Sequence, residues 1–225
     1  MTAMEQRQIA SDAGLSRQRV VDEAIRLADR EGADGLSMRR LAGALGAGAM
    51  SLYRYVASKE ELLDSMIDLV FDEIELPSTA TDWQSAMRRR AVSARQVLAR
   101  HPWAIPLMES RTSPGPANLR HREAVTACLR RAGFTVVMAT HANWLLDSYV
   151  YGFALQEASL PYDTAEVLAD LAENVFLPQL PPDEYPYLNE SAAALVAAGY
   201  DPAEEFVFGL DLLLAGLEPL RASAG

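Results

Sequence analysis

The chain has 225 residues, half of them apolar, and a net charge of −11. This length suits one large domain, or a small domain joined to one of ordinary size. No apolar run reaches about 18 residues, so no membrane span is predicted. The single cysteine, Cys128, excludes an intrachain disulfide and a cysteine-based zinc site.

Four helices are predicted in the first third of the chain, three of them beginning at serines that can cap a helix. Ser16 and Ser37 precede the first two, and Ser58 with Glu61 forms a capping box before the fourth. Glycines between the second and third helices predict a tight turn. The predicted ranges are 17–31, 38–45, 49–56 and 59–76.

The rest of the chain also predicts helices, separated by prolines and glycines. Asp82 and Thr135 are candidate caps for two of them, and Asp201 with Pro202 opens the last. No segment is convincing as a strand, so we expect an all-α fold. The predicted segments are 83–101, 103–111, 117–133, 136–160, 164–176, an alanine-rich stretch ending at Gly199, and 202–220.

The stretch LGAGAMSLYRYVASKEELL, from Leu45 to Leu63, joins a short helix to another through a glycine turn. This arrangement is typical of a helix-turn-helix, whose second helix must fit the major groove of DNA. Leu52 and Val56 are four residues apart and are expected to face inward. The side chains left to face outward are Ser51, Tyr53, Arg54 and Tyr55.

The charge is distributed unevenly along the chain. Residues 1–60 hold nine Lys/Arg against eight Asp/Glu, whereas residues 61–225 hold eleven against twenty-three. An acidic second part repels phosphate and would confine DNA contacts to the first part. The alternative is an acidic surface that only keeps the protein in solution, and the charges alone do not decide between the two.

Residues 32–63, GADGLSMRRLAGALGAGAMSLYRYVASKEELL, closely resemble the TetR family of bacterial repressors. The resemblance implies a DNA-binding domain over 1–60, with 1–15 as a flexible arm, and a ligand-binding and dimerisation domain over 61–225. It implies that Tyr53, Tyr55 and Lys59 contact phosphates and that Arg54 reads a guanine or contacts one more phosphate. The other implied DNA-contacting residues are Met38, Arg39, Ala49, Met50 and Ser51.

The second part is similar to the tetracycline-repressor class through its HPW, SPGP, RRAGF and FGLDLLLAGLE stretches. This similarity implies a homodimer in which the last helix and the long helix before it pair with their twofold mates. Tyr149 and Gly152 are expected to face the partner from the long helix. On the last helix the expected stripe is Phe206, Leu210, Leu213 and Leu217, with a core stripe inside one chain as the alternative.

The same similarity implies an effector pocket lined by the long helix. A small apolar or aromatic molecule with a few polar groups would suit its mixture of aromatic and polar side chains. The alternative is a polar row inside the helical core. His121 is expected to be solvated on a charged surface. The candidate ligand-binding residues are Met108, Thr140, Asn143, Trp144, Asp147, Ser148 and Tyr151.

No motif in the sequence predicts an enzyme. Glu-x-x-His pairs, phosphate-binding glycine loops and nucleophile elbows are missing, and no metal or cofactor is expected. The N-terminal residues lack the apolar core of a signal peptide, so a cytoplasmic protein is expected. The TetR resemblance implies a repressor that binds a pseudo-palindromic operator. The alternatives are a constitutive DNA-binding regulator without a ligand and, less favoured, a helical enzyme or carrier.

Overall fold

The computed structural model describes residues 15–108, 110, 111, 113–160, 167, 170–199 and 201–222. These residues form ten α-helices and no strand, which confirms the all-α prediction. In this part of the chain, no helix has the length and apolar character needed to cross a membrane. The helices are α1 (Arg17–Glu31), α2 (Met38–Ala44), α3 (Ala49–Leu52), α4 (Lys59–Glu73), α5 (Trp83–Arg100), α6 (Ile105–Met108), α7 (Pro116–Arg131), α8 (Val136–Ser159), α9 (Pro186–Ala198) and α10 (Pro202–Ala222).

The helices begin where the sequence predicts because their caps are local. The Ser16 hydroxyl accepts a hydrogen bond from the Arg19 amide at 3.2 Å, and the Ser58 hydroxyl accepts one from the Glu61 amide at 3.0 Å. The Glu61 carboxylate in turn accepts from the Ala57 amide at 2.7 Å. Each bond satisfies an amide that otherwise has no helical partner.

Helix α1 ends as predicted, whereas α2, α3 and α4 end earlier than predicted. Helix α3 stops at Leu52, because the next residues form a tighter turn in which Tyr55 donates its amide to the Leu52 carbonyl oxygen at 2.9 Å. At the start of the chain, Leu15 is buried in the core, so the predicted arm is one residue too long. Residues 1–14 of that arm lie outside the described residues.

Helices α1 to α3, which we call the head, pack around a small apolar core. Val20 and Ala24 of α1 are buried there together with Leu41 of α2 and Leu52 of α3. Helix α4 packs on α1 at one side and on α7 at the other. This long helix therefore connects the head to the remaining helices, and any tilt of α4 moves the head.

Helices α5 to α10, which we call the body, hold most of the buried apolar side chains, although α9 itself has none. Helix α8 packs between α5, α7 and α10. On α10 the buried side chains are Phe206, Leu210, Leu214 and Leu217. The prediction that this stripe faces a partner is therefore wrong. Most of its residues are buried within one chain, which was the alternative interpretation.

Candidate DNA-binding surface and effector site

Helix α3 and the turn after it present three side chains to solvent. Met50 is 80% exposed, and Tyr53 and Arg54 are exposed beside it. Leu52 and Val56 are buried on the opposite side, as predicted. The buried pair anchors α3 in the head and leaves Met50, Tyr53 and Arg54 exposed in one row.

Ser51 does not belong to this exposed row. It is buried, and its hydroxyl donates to the Gly48 carbonyl oxygen at 2.6 Å. The prediction that Ser51 faces outward is wrong, because it shares the inner side of the turn with Leu52. Tyr55 is also partly buried against the core on this side, and Ala49 is partly buried.

Two exposed cations lie on either side of the row in the sequence. Arg39 follows Met38 in the first turn of α2, where Met38 itself packs partly against the core. Lys59 is the first residue of α4, whose N-terminus carries a partial positive charge. Arg40 is also exposed, but it donates to the Gly35 carbonyl oxygen at 3.2 Å and pairs with Glu31.

Hydrogen bonds from the body hold the end of α1. The Asp29 carboxylate accepts from the Trp103 indole at 2.6 Å and lies 2.7 Å from His101 Nδ1. The other ring nitrogen of His101 lies 3.2 Å from the Glu73 carboxylate at the end of α4. His101 is buried. From the end of α5 it contacts Asp29 of the head and Glu73 of α4, so it connects these three parts.

A row of carboxylates on α4 faces the body. Its members, Glu60, Asp64, Asp68 and Asp72, are spaced by four residues and therefore lie on one side of the helix. Arg111, between α6 and α7, donates to Asp64 at 2.5 Å and to Glu60 at 2.8 Å. Arg120 of α7 donates to Asp72 at 2.7 Å. We call this set the α4 carboxylate row.

Asp68, the third member of the α4 carboxylate row, caps α7. Its carboxylate accepts from the Asn118 amide at 2.9 Å, which satisfies an amide in the first turn of α7. A Cβ atom at Gly115 would lie 2.2 Å from the Asp68 carboxyl carbon. Glycine at this position is thus what lets the start of α7 approach α4.

The predicted ligand-binding residues differ in their exposure. Met108 is buried in the body, whereas Thr140 and Ser148 are exposed and Trp144 is 64% exposed. Asp147 points inward to Arg90 instead. These differences in burial arise because α8 is covered by the body on one side only, and a ligand site at these residues remains a prediction. Asn143 and Tyr151 are partly buried at its margins.

A charged cluster lies inside the body, where α5, α7 and α8 meet. Arg90 is only 1% exposed, and its Nη2 donates to Asp147 at 2.5 Å. Its Nε donates to Nε2 of His121, which is 2% exposed and lies against the Phe71 ring of α4 at 5.6 Å between centroids. The prediction that His121 is solvated is wrong, because its side of α7 faces the core.

Two polar atoms of this cluster are buried without a partner. Arg90 Nη1 and His121 Nδ1 have no hydrogen-bond partner among the residues that the structure describes. Burial and the positive charges of Arg90 and Arg122 lower the pKa of His121 from 6.5 to about 3. The imidazole is therefore neutral at physiological pH.

Large apolar side chains remain exposed on both α8 and α10. Val137 and Trp144 of α8 are 62% and 64% exposed, and Phe208 and Leu212 of α10 are 62% and 61% exposed. We call these four residues the α8–α10 face. The two helices pack closely, since a Cβ atom at Gly209 would lie 2.3 Å from the Tyr149 hydroxyl of the same chain. Tyr149 and Gly209 therefore join α8 to α10 within one chain.

Two family models match the chain over most of its length. Residues 20–66 match bacterial regulatory proteins of the tetR family, and residues 76–221 match the tetracyclin repressor-like C-terminal domain. The chain belongs to the tetR family.

Relatives of this tetR-family chain include regulators of Streptomyces and Saccharopolyspora and a tetracycline repressor protein of Escherichia coli. The HTH-type transcriptional repressor DrrR1 of Streptomyces coeruleorubidus is 37% identical over 218 residues, covering 92% of this chain and 79% of that protein. An HTH-type transcriptional regulator of Saccharopolyspora erythraea is 35% identical, with 94% and 86% covered. The Streptomyces coelicolor TetR family protein ActR in complex with actinorhodin superposes with a TM-score of 0.76 at 31% identity, covering 93% of this chain and 99% of that chain.

These similarities confirm the resemblance seen in residues 32–63. The chain is a ligand-responsive transcriptional repressor. Repressors of this family bind operator DNA, act as dimers and bind small-molecule effectors. They are regulators and not enzymes.

Proposed function

We propose that two copies of this chain bind a pseudo-palindromic operator through residues 1–60 and that a small apolar or aromatic effector, held in residues 61–225, releases them. The exposed row of Met50, Tyr53 and Arg54 carries the proposal, because it stands on a turn whose other side is buried. The two half-sites of the operator lie in successive major grooves, about 34–36 Å apart or at a related spacing. The cytoplasm, where a bacterial chromosome lies, is the place of action.

The candidate DNA-contacting side chains have different proposed roles. Arg54 donates two hydrogen bonds to a guanine, which is worth about 1–3 kcal/mol of discrimination. Tyr53 and Lys59 contact phosphates, with Lys59 helped by the N-terminus of α4. Met38 and Arg39 meet the backbone at the groove edge. Ala49, Met50 and the half-buried Tyr55 line the same turn.

The α8–α10 face is the proposed contact between the two copies. Trp144, Phe208 and Leu212 expose more apolar surface together than a lone surface residue would. Burying this surface against the same surface of a second copy forms a four-helix contact around a twofold axis. Gly152 and Gly216 are on the outer sides of these helices, and no other atom would come within 4 Å of a Cβ atom there.

The proposed release acts through α4. The α4 carboxylate row connects this helix to Arg111 and to the start of α7, while Asp29 and His101 connect it to α1 and α5. An effector that moves α7 therefore tilts α4 and changes the distance between the two recognition helices. A coupling of about 1–3 kcal/mol, or 5–150-fold in operator affinity, is typical of such regulators.

The experiment is selection of binding sites from random duplexes, followed by gel-shift titration with the promoter of the chain's own gene. Arg54→Ala should weaken binding and relax the selected sequence at one position of each half-site. Tyr53→Phe and Lys59→Ala should weaken binding to all sequences alike, since phosphates carry no sequence information. Small molecules are then added to the promoter complex and scored for release.

Arg131→Ala is the matched control, because Arg131 is an exposed arginine of the body. It should change neither the affinity nor the selected sequence. An unchanged sequence profile for Arg54→Ala contradicts the proposed base contact. If no compound or cell extract releases the promoter, the constitutive regulator without a ligand becomes the better description.

A further inference from the structure

We infer that Arg90 and His121 hold the effector by donating hydrogen bonds to oxygen acceptors on it, such as those of a carboxylate, carbonyl or phenolate. The inference rests on the proposed function, in which a small molecule binds the body. Its basis is the pair of buried polar atoms, Arg90 Nη1 and His121 Nδ1, that have no partner among the described residues. Buried polar groups in folded proteins are nearly always satisfied, so an unsatisfied pair needs a reason.

The hydrogen bond between the two side chains fixes the tautomer of His121. Arg90 Nε carries a hydrogen and can only donate, so His121 Nε2, 3.0 Å away, must accept. A neutral imidazole has one N–H, which is therefore on Nδ1. The unsatisfied atom of His121 is a donor.

Arg90 supplies the second donor. Its Nη2 is taken by Asp147 and its Nε by His121, which leaves Nη1 with hydrogens directed at no acceptor in the described residues. Asp147 balances the guanidinium charge. The cluster therefore offers buried N–H groups of two side chains and no acceptor of its own at these atoms.

This donor-only character sets the class of ligand. An oxygen acceptor satisfies the buried N–H groups, whereas an amine or ammonium group places donor against donor. A site built to bond a polar group rejects an analogue that lacks it, since its own groups then stay unpaired. The low pKa of His121 keeps the same N–H pattern throughout the physiological pH range.

The position of the cluster links binding to release. The His121 ring lies against Phe71 of α4, the helix that joins the head to the body. An acceptor bound at Nδ1 therefore reaches a side chain that packs on α4. The effector need not approach the head to move it.

The test uses two probes with one ring system, 2-naphthoate as acceptor and 2-naphthylmethylamine as donor. Calorimetric titration of the full-length protein without DNA should show that the acid binds at least about tenfold more tightly than the amine. His121→Phe keeps an aromatic ring against Phe71 and removes the N–H, and it should weaken naphthoate binding about tenfold. Arg90→Lys should weaken it similarly, and His141→Phe, at an exposed histidine, should not.

A second measurement does not depend on any variant folding. Nitrogen-15 NMR of the histidine side chains should show His121 protonated on Nδ1 and shifted when naphthoate is added. An Nε2 proton, or equal affinity for the two probes including no measurable binding of either, overturns the inference. So does unchanged naphthoate affinity in folded His121→Phe and Arg90→Lys. Naphthoate that binds at His121 without weakening operator binding contradicts the proposed release and leaves the acceptor site standing.

Discussion

His121 makes the stability of the fold depend on pH. Its pKa is about 3 in the folded chain, lowered from 6.5 by burial and by the charges of Arg90 and Arg122. In the unfolded chain the ring takes up a proton near pH 6.5, whereas the folded chain does not until about pH 3. Acid therefore favours unfolding across this window, and the stability lost returns as the pH rises.

His121→Phe should remove this pH dependence. Between pH 6 and pH 4 the wild type should lose up to about 1.4 kcal/mol per pH unit more than the variant, which corresponds to one proton. Urea unfolding at a fixed protein concentration and a series of pH values measures the difference. His141→Phe is the control and should keep the wild-type slope. A parallel pair of curves for wild type and His121→Phe would show that His121 is not a buried neutral group.

The sequence indicates that α5 has a buried charge, although it does not identify the residues that pair with it. Arg90 lies four residues after Ala86 and four before Ala94, on the buried side of α5. An arginine at an apolar position predicts a buried charge that needs a partner. The partners come from α7 and α8, and their side-chain directions depend on how three helices pack, which local spacing does not fix.

Helix α10 has apolar side chains on both sides, and the packing decides which side faces a partner. Its buried side carries Phe206 and Leu210, and its exposed side carries Phe208 and Leu212. Both sets repeat at helical spacing, so periodicity predicts the helix and leaves the direction of each stripe open. Helix starts depend on caps a few residues away, which explains why Ser16 and Ser58 predicted them correctly. The orientation of α10 depends on packing against distant helices, which explains why its stripe was predicted wrongly.

Charges placed on the two sides of α10 should have different effects. Phe208→Asp and Leu212→Asp should give folded monomers that bind operator poorly, because the charge meets the apolar surface of a second copy. Leu210→Asp should unfold the chain instead, since it buries a charge in the core at a cost of several kcal/mol. Circular dichroism reports folding, and sedimentation velocity reports assembly. Intact dimers of both exposed-side variants would remove the α8–α10 face from the contact.

The whole molecule depends on α4 as the connection between its two parts, and Arg111 is its strongest link to the body. Arg111 is largely buried and bonded to two carboxylates, whereas Arg120 and its partner Asp72 are both exposed. Arg111→Met should therefore lower the free energy of unfolding by about 1–3 kcal/mol. Arg120→Met, the matched control on the same α4 carboxylate row, should cost less than about 1 kcal/mol. Denaturant unfolding measures both, and equal losses would contradict the difference in burial.

The three tryptophans give the protein three optical reporters at different places. Trp83 is buried at the start of α5, where its indole donates to Glu218, and Trp103 donates to Asp29 across the junction with the head. Trp144 is the one exposed indole of the three. Its emission should be that of a ring in water and should shift when a second copy covers it in the proposed contact. Assembly and motion of the head can then be followed by fluorescence without attaching a dye.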